Sequence, residues 1–195
     1  MKEKEKNNDN TLLNVVLFVS RKKDNKEIEG FKERKQAFLT NEPVNSEVLR
    51  AKFSRFTATG MYEEFSRMYY SVNSRKSQDV YKDFLYFLID NPDFNLCSAS
   101  SKLAGIAMGH KNAETKHWLF DFDNNDTDKV REFMDDIHNY DLSCQIDAHQ
   151  TPNGFAVIVD HGFDTRDLLK KWDKYVTLKR DDFLCCNWKR NIFHN

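Results

Sequence analysis

Apolar positions fall into two periods along this chain, and the change between them outlines the elements. Residues 12–20, LLNVVLFVS, form a β-branched and apolar run that predicts a strand, followed by a charged connector over 21–35. Ser46 is placed to cap a helix with Val48, Leu49, Lys52, Phe53 and Phe56 along one side. RMYYSVNSR, 67–75, reads as a strand. Ser77 then caps a helix carrying Val80, Phe84, Leu85, Phe87 and Leu88, and Asn91–Pro92 stops it. The small, polar stretch 95–112 reads as a long loop or weak helix.

From residue 117 the pattern sharpens. His117–Asp123 is a strand, and Asp126 or Thr127 caps a helix in which Val130, Phe133, Met134 and Ile137 recur at helical spacing. Ser143–Asp147 is a second strand, Thr151–Pro152–Asn153–Gly154 a turn by composition, and Phe155–Val159 a third strand. Asp164 caps a helix with Thr165, Leu168, Leu169 and Trp172 on one face, and 176–186 supplies a fourth strand. The order β-α-β-β-α-β predicts an α+β, ferredoxin-like module over 113–195 behind a mixed, helix-rich α+β subdomain over 11–112.

Parity within the strands locates candidate chemistry. Trp118, Phe120 and Phe122 share one face, which two helices must cover. Leu119, Asp121 and Asp123 share the other, the two carboxylates about 7 Å apart, a spacing that suits one or two hard cations approached from a common side. Ala156 and Ile158 of the third strand belong to that open face. If 176–186 is one unbroken strand, Lys179 and Asp181 join it and Asp182 points toward the helices. The KRDD run at 179–182 is also compatible with a turn, so the choice between Asp181 and Asp182 stays open. In the usual strand order of such a module the first strand lies between the third and fourth, which brings Asp181 near Asp121 and Asp123. Three converging carboxylates repel unless a cation or proton sits among them, so the pattern favours a divalent-metal site.

Composition narrows the classes. The chain has 195 residues, 16 of them Phe, with 39% apolar residues, which allows a packed core despite a mean hydropathy of -0.75. A net charge of -1 argues against indiscriminate nucleic-acid binding and requires a local basic patch for any such contact. Four cysteines without CxxC spacing predict reduced thiols in a reducing cytoplasm and no zinc site. The first ten residues, MKEKEKNNDN, read as a disordered tail with no apolar leader, and no later stretch is long and apolar enough to span a membrane. P-loop, GxSxG and Rossmann glycine patterns are absent, and Asn125 stands where a dehalogenase-type phosphatase needs Thr.

The segments WLFDFDNN, TPNGFAVIV and TLKRDDFL, in that order, resemble the archaeo-eukaryotic primase superfamily in its small phage- or plasmid-type versions, over about residues 116–190. Asp121 and Asp123 match its DxD motif, Thr151, Asn153 and Gly154 its second motif, and Asp181 its third acidic position. The second-motif histidine falls on Ala156. The resemblance implies an RRM-like palm and two-metal nucleotidyl transfer with Mg2+ or Mn2+ held by Asp121, Asp123 and Asp181. It also implies phosphate contacts from Thr151, Asn153, Gly154, Lys179 and Arg75. Its expected partners are a single-stranded DNA template, nucleoside triphosphates and a separate helicase or replication protein, in the cytoplasm of a bacterial or phage-infected cell. A metal-dependent nuclease on the same acidic face is a more distant reading. Ala156 favours another: a catalytically degenerate primase-fold protein that binds nucleic acid or a protein partner. Among other candidates, Arg67 and Arg75 fit phosphate contacts or ion pairs, Tyr69 and Tyr70 fit base stacking or core packing, and His149 or His161 could replace the missing imidazole in space.

Overall fold

The computed structural model of the protein describes residues 11–193, so the expected tail over 1–10 lies outside the described residues. The chain is mixed α+β with two antiparallel sheets. The first half gives β1 (Leu12–Ser20), β2 (Arg34–Thr40), α1 (Glu47–Ala58), β3 (Phe65–Ser71), β4 (Arg75–Lys76), α2 (Ser77–Asp90) and α3 (Ala99–Ala107). The second gives β5 (Trp118–Phe122), α4 (Thr127–Tyr140), β6 (Ile146–Thr151), β7 (Gly154–Val159), α5 (Arg166–Lys171), β8 (Val176–Lys179) and β9 (Phe183–Arg190).

Alternation along β1 sorts the first sheet, ordered β2-β1-β3-β9 with β4 beside β1. Val16 and Phe18 face α1 and pack with Leu49, Phe53 and Met68, whereas Val15 faces α2 and α3 and packs with Val80, Ala104 and Ala107. Ser46 caps α1 as expected, its hydroxyl accepting from the Val48 N–H at 3.1 Å. In the stretch 95–112 the helical alternative holds, and β2 had no counterpart in the sequence pattern. Residues 99–107 form a regular helix, because Ala104 and Ala107 find a sheet to cover, and β2 forms at the sheet edge where Ala37 and Leu39 pack toward α3 and Phe38 toward α1.

The second sheet runs β6-β7-β5-β8, with β5 between β7 and β8 as expected. Phe120 and Phe122 pack under α4 and α5 against Val130, Phe133, Ile137, Leu168 and Trp172. At roughly 1.5–3 kcal/mol per buried side chain, this aromatic layer is a main stabiliser of that half. Asp126 caps α4, accepting from the Asp128 N–H at 3.0 Å and the Lys129 N–H at 3.3 Å.

The expected strand over 176–186 is not one strand. β8 ends at Lys179, the chain turns through Arg180–Asp182, and β9 then pairs with β3 of the first sheet. The open face is therefore not open along its length. Leu119 and Ala156 pack against Leu184 of β9, with Val72 and Cys186 beside them. Among the described residues no helix is long and apolar enough to cross a membrane.

Candidate functional site

Where β9 carries the chain across, the two sheets close along Leu119, Ala156 and Leu184 and leave a cleft of about 200 Å³ beyond that contact. Asp121 and Asp123 line it from the end of β5, and Lys179 from the end of β8. Thr151 and Asn153 line it from the β6–β7 hairpin, whose loop is Pro152–Asn153. Ala156, only 3% exposed, forms part of its floor.

Gly154 explains how hairpin and acidic strand come together. A Cβ on Gly154 would lie 2.1 Å from the Phe122 carbonyl oxygen and 2.8 Å from the Asn124 nitrogen, so only glycine lets the start of β7 pass the end of β5. Its role is this close approach; among the described residues only Gly30 and Glu63 have positive φ.

The opposite wall comes from the first sheet and is basic. Arg21 and Lys23 follow β1, and Arg67 and Tyr69 project from β3. Asp24 orients both arginines: Arg67 Nη2 lies 2.7 Å from Asp24 Oδ1, its Nε donates to Oδ2 at 2.9 Å, and Arg21 Nε reaches the same oxygen at 2.9 Å. Burial opposes the charge of Arg67, but the Asp24 hydrogen bond and the nearby charges of Tyr69, Asp24 and Cys185 together outweigh it and raise its pKa. The lining thus sets four cations against two carboxylates. Lys179 Nζ bridges the walls' chemistry, 2.7 Å from Asp121 Oδ2 and 3.9 Å from Asp182 Oδ2. Burial works against this ammonium, yet the bond to Asp121 and the nearby carboxylates hold its pKa above that of an ordinary lysine.

Asp181 and Arg75 are placed elsewhere, together. The wholly buried Arg75 makes a two-pronged ion pair to Asp181, Nη2–Oδ1 2.7 Å and Nη1–Oδ2 2.9 Å. Asn73 donates to Asp181 at 3.1 Å and also bonds the backbone of His117, so the pair ties the 72–75 turn to the entrance of β5. Burial pushes the Asp181 carboxyl up, but Arg75 and Asn73 overcome it and hold the pKa below its usual value. Neither residue lines the cleft.

His149 shares the Asp121 face, opposite Ala156 across the ladder, but lines a neighbouring groove with Arg50 and Leu184. His161 lies at the other end of the second sheet, between Asp141 and Asp160. Tyr70 packs with the α1 core and donates to the Glu42 carbonyl. Arg21 and Lys23 were not singled out in the sequence; the signal was a basic run directly after a strand, but only tertiary pairing shows what it faces.

No family model, curated protein or solved structure matched the chain in the three comparisons made.

Proposed function

We propose that the cleft is the site of a small primase/polymerase-like nucleotidyltransferase acting on a nucleic-acid template. The unit from β5 to β8 would be its ferredoxin/RRM-like palm, a reading supported by the sheet order β6-β7-β5-β8. The observation that carries the functional reading is the convergence, in one cleft, of Asp121 and Asp123 with a wall of Arg21, Lys23 and Arg67. Hard carboxylate oxygens beside several cations suit a polyphosphate and its divalent counter-ion.

Asp121 and Asp123 fit Mg2+ or Mn2+ by donor type, and Mg2+ commonly takes only one or two carboxylates when substrate phosphates complete its shell. When bound, such an ion neutralises charge on the reacting phosphates and favours ionisation of an attacking hydroxyl. The chain's own part is to hold phosphates with Arg21, Lys23 and Lys179 and to keep Arg67 in place through Asp24. At about 200 Å³ the cavity is smaller than a typical small-molecule pocket, so it suits the phosphate end of a nucleotide, with base and sugar toward its mouth. Since Asp181 is held by Arg75, the metal set proposed for this cleft is Asp121 and Asp123.

The test is template-dependent nucleotide incorporation with Mg2+ or Mn2+, using wild type, Asp121→Asn and Asp123→Asn on single-stranded DNA with NTPs or dNTPs. Incorporation that both variants lose supports the reading; wild type without incorporation under any of these conditions sinks it.

A second reading has its own support. Lys179 already neutralises Asp121, and Ala156 supplies no imidazole. A catalytically degenerate protein of the same fold would bind nucleic acid or a partner without divalent ions, and its binding would survive the double variant Asp121→Asn/Asp123→Asn.

A further inference from the structure

At the opposite end of the second sheet, two turns distant in sequence bring metal-binding side chains together. The α4–β6 turn carries Asp141 and Cys144, and the residues after β7 are Asp160 and His161. One ligand atom each from Cys144, Asp160 and His161 lies within 4.8 Å of the others. His161 Nδ1 is 2.8 Å from Asp160 Oδ1, and its Nε2 is 2.9 Å from Asp141 Oδ2.

Both imidazole nitrogens therefore face carboxylate oxygens. A neutral imidazole has one N–H to donate, and its other nitrogen presents a lone pair that repels a carboxylate. The arrangement needs a second proton or a metal ion. A second proton satisfies the histidine alone, while the sulfur of Cys144, whose residue packs in the core of this half, also reaches the same spot. A metal ion uses all three groups. The carboxylates are already oriented: Asp141 Oδ1 accepts from the Ser143 N–H at 2.9 Å and hydroxyl at 2.6 Å, leaving Oδ2 for His161. Asp160 Oδ1 accepts from the Gln145 N–H at 3.0 Å.

We propose that Cys144 Sγ, the Asp160 carboxylate and His161 Nδ1 form a transition-metal site of the Zn2+ class, with Asp141 bonded to His161 Nε2 as the residue that fixes the ring. Thiolate and imidazole select Zn2+ or Co2+ over Mg2+, so this site differs in kind from Asp121 and Asp123 and does not depend on their role. Metal–ligand lengths of about 2.0–2.3 Å set tetrahedral ligand atoms about 3.3–3.6 Å apart, so His161 Nδ1 and Asp160 Oδ1 part by about half an ångström and the sulfur closes in by about 1.5 Å or less, within the reach of side-chain rotation. His161 and Asp160 are each about one-third exposed, which gives an ion a path in and a fourth position for water. Bound there, the ion would staple the α4–β6 turn to the end of β7. It displaces the Cys144 proton to solvent on binding, as coordinated thiols lose theirs.

The experiment is titration of the chelator-treated, full-length protein with Co2+ alone, followed by Zn2+. A thiolate-to-cobalt charge-transfer band appearing at one equivalent and abolished by Zn2+ is expected. Cys144→Ser should remove the band, and His161→Gln, which keeps the thiol, should weaken binding sharply. Asp141→Asn should cost about 10–100-fold in affinity, whereas Asp121→Asn/Asp123→Asn should leave the titration unchanged. Absence of the band in folded wild type, or its persistence in Cys144→Ser, overturns the proposal. If Cys144→Ser fails to fold, the wild-type band and the His161→Gln titration still decide it.

Discussion

Lys179 Nζ lies 2.7 Å from Asp121 Oδ2, so the chain places a cation of its own against the acidic pair that the sequence marked out for a metal. An ammonium there relieves carboxylate repulsion and competes with any divalent ion for the same oxygen. The pair is about one-third exposed on each side, which limits its worth to about 1 kcal/mol or less. Lys179→Met should therefore raise the affinity of the nucleotide-free protein for Mn2+ by about two- to fivefold, while weakening triphosphate binding. Calorimetric titration of Mn2+ and of a nucleoside triphosphate measures both; unchanged Mn2+ affinity would show that Lys179 does not compete.

Asp181 should behave as a structural group. Removing it leaves the Arg75 guanidinium buried and unpaired, and Asp181→Ala is expected to cost about 3–5 kcal/mol in denaturant unfolding, with no metal present. The same pair sets an acid limb. Because the Asp181 pKa is depressed on folding, its stabilisation is complete above the unfolded value near 3.8 and fades as pH falls through the lower folded value. Urea midpoints measured down the acid range should show a shallower decline for Asp181→Asn than for wild type.

Gly154→Ala tests the crossing of β7 over β5. The added methyl meets backbone, not a movable side chain, so a loss of about 1–3 kcal/mol or more is expected, with disturbance of Asp123 and Asn124. Thermal melting together with Mn2+ titration reads both consequences. A neutral substitution would show that the strands can separate locally at no cost.

Lys23 is exposed and makes no ion pair among the described residues, so replacing it should change cleft binding without changing the fold. Lys23→Ala should lower single-stranded DNA affinity and reduce the slope of log K against log salt by about 0.7. An unaltered slope would remove Lys23 from the nucleic-acid path.

Thiol chemistry should single out Cys97, which is exposed. Burial pushes Cys144 and Cys185 to about 11 and Cys186 to about 12, so one thiol of four should react rapidly with a disulfide reagent near neutral pH. The others should follow only on unfolding; a second fast thiol would contradict this burial.

Local rules carried the sequence reading a long way. Side-chain period two put Asp121 and Asp123 on the face away from Phe120 and Phe122, and period 3.6 with a capping Asp126 defined α4, because both depend on a few neighbouring residues. Glycine at 154 marked the hairpin, though its reason, a backbone passing within contact distance, lies in another strand. The break at Arg180–Asp182 was legible only as an alternative, since parity alone permits an unbroken strand. Tertiary pairing decided the rest. β9 found its hydrogen bonds on β3, which turned an open face into a cleft, gave Asp181 to Arg75, and set Arg21, Lys23 and Arg67 opposite the carboxylates. Those relationships join residues more than a hundred positions apart, and no local period encodes which distant partner satisfies a strand edge or a buried charge.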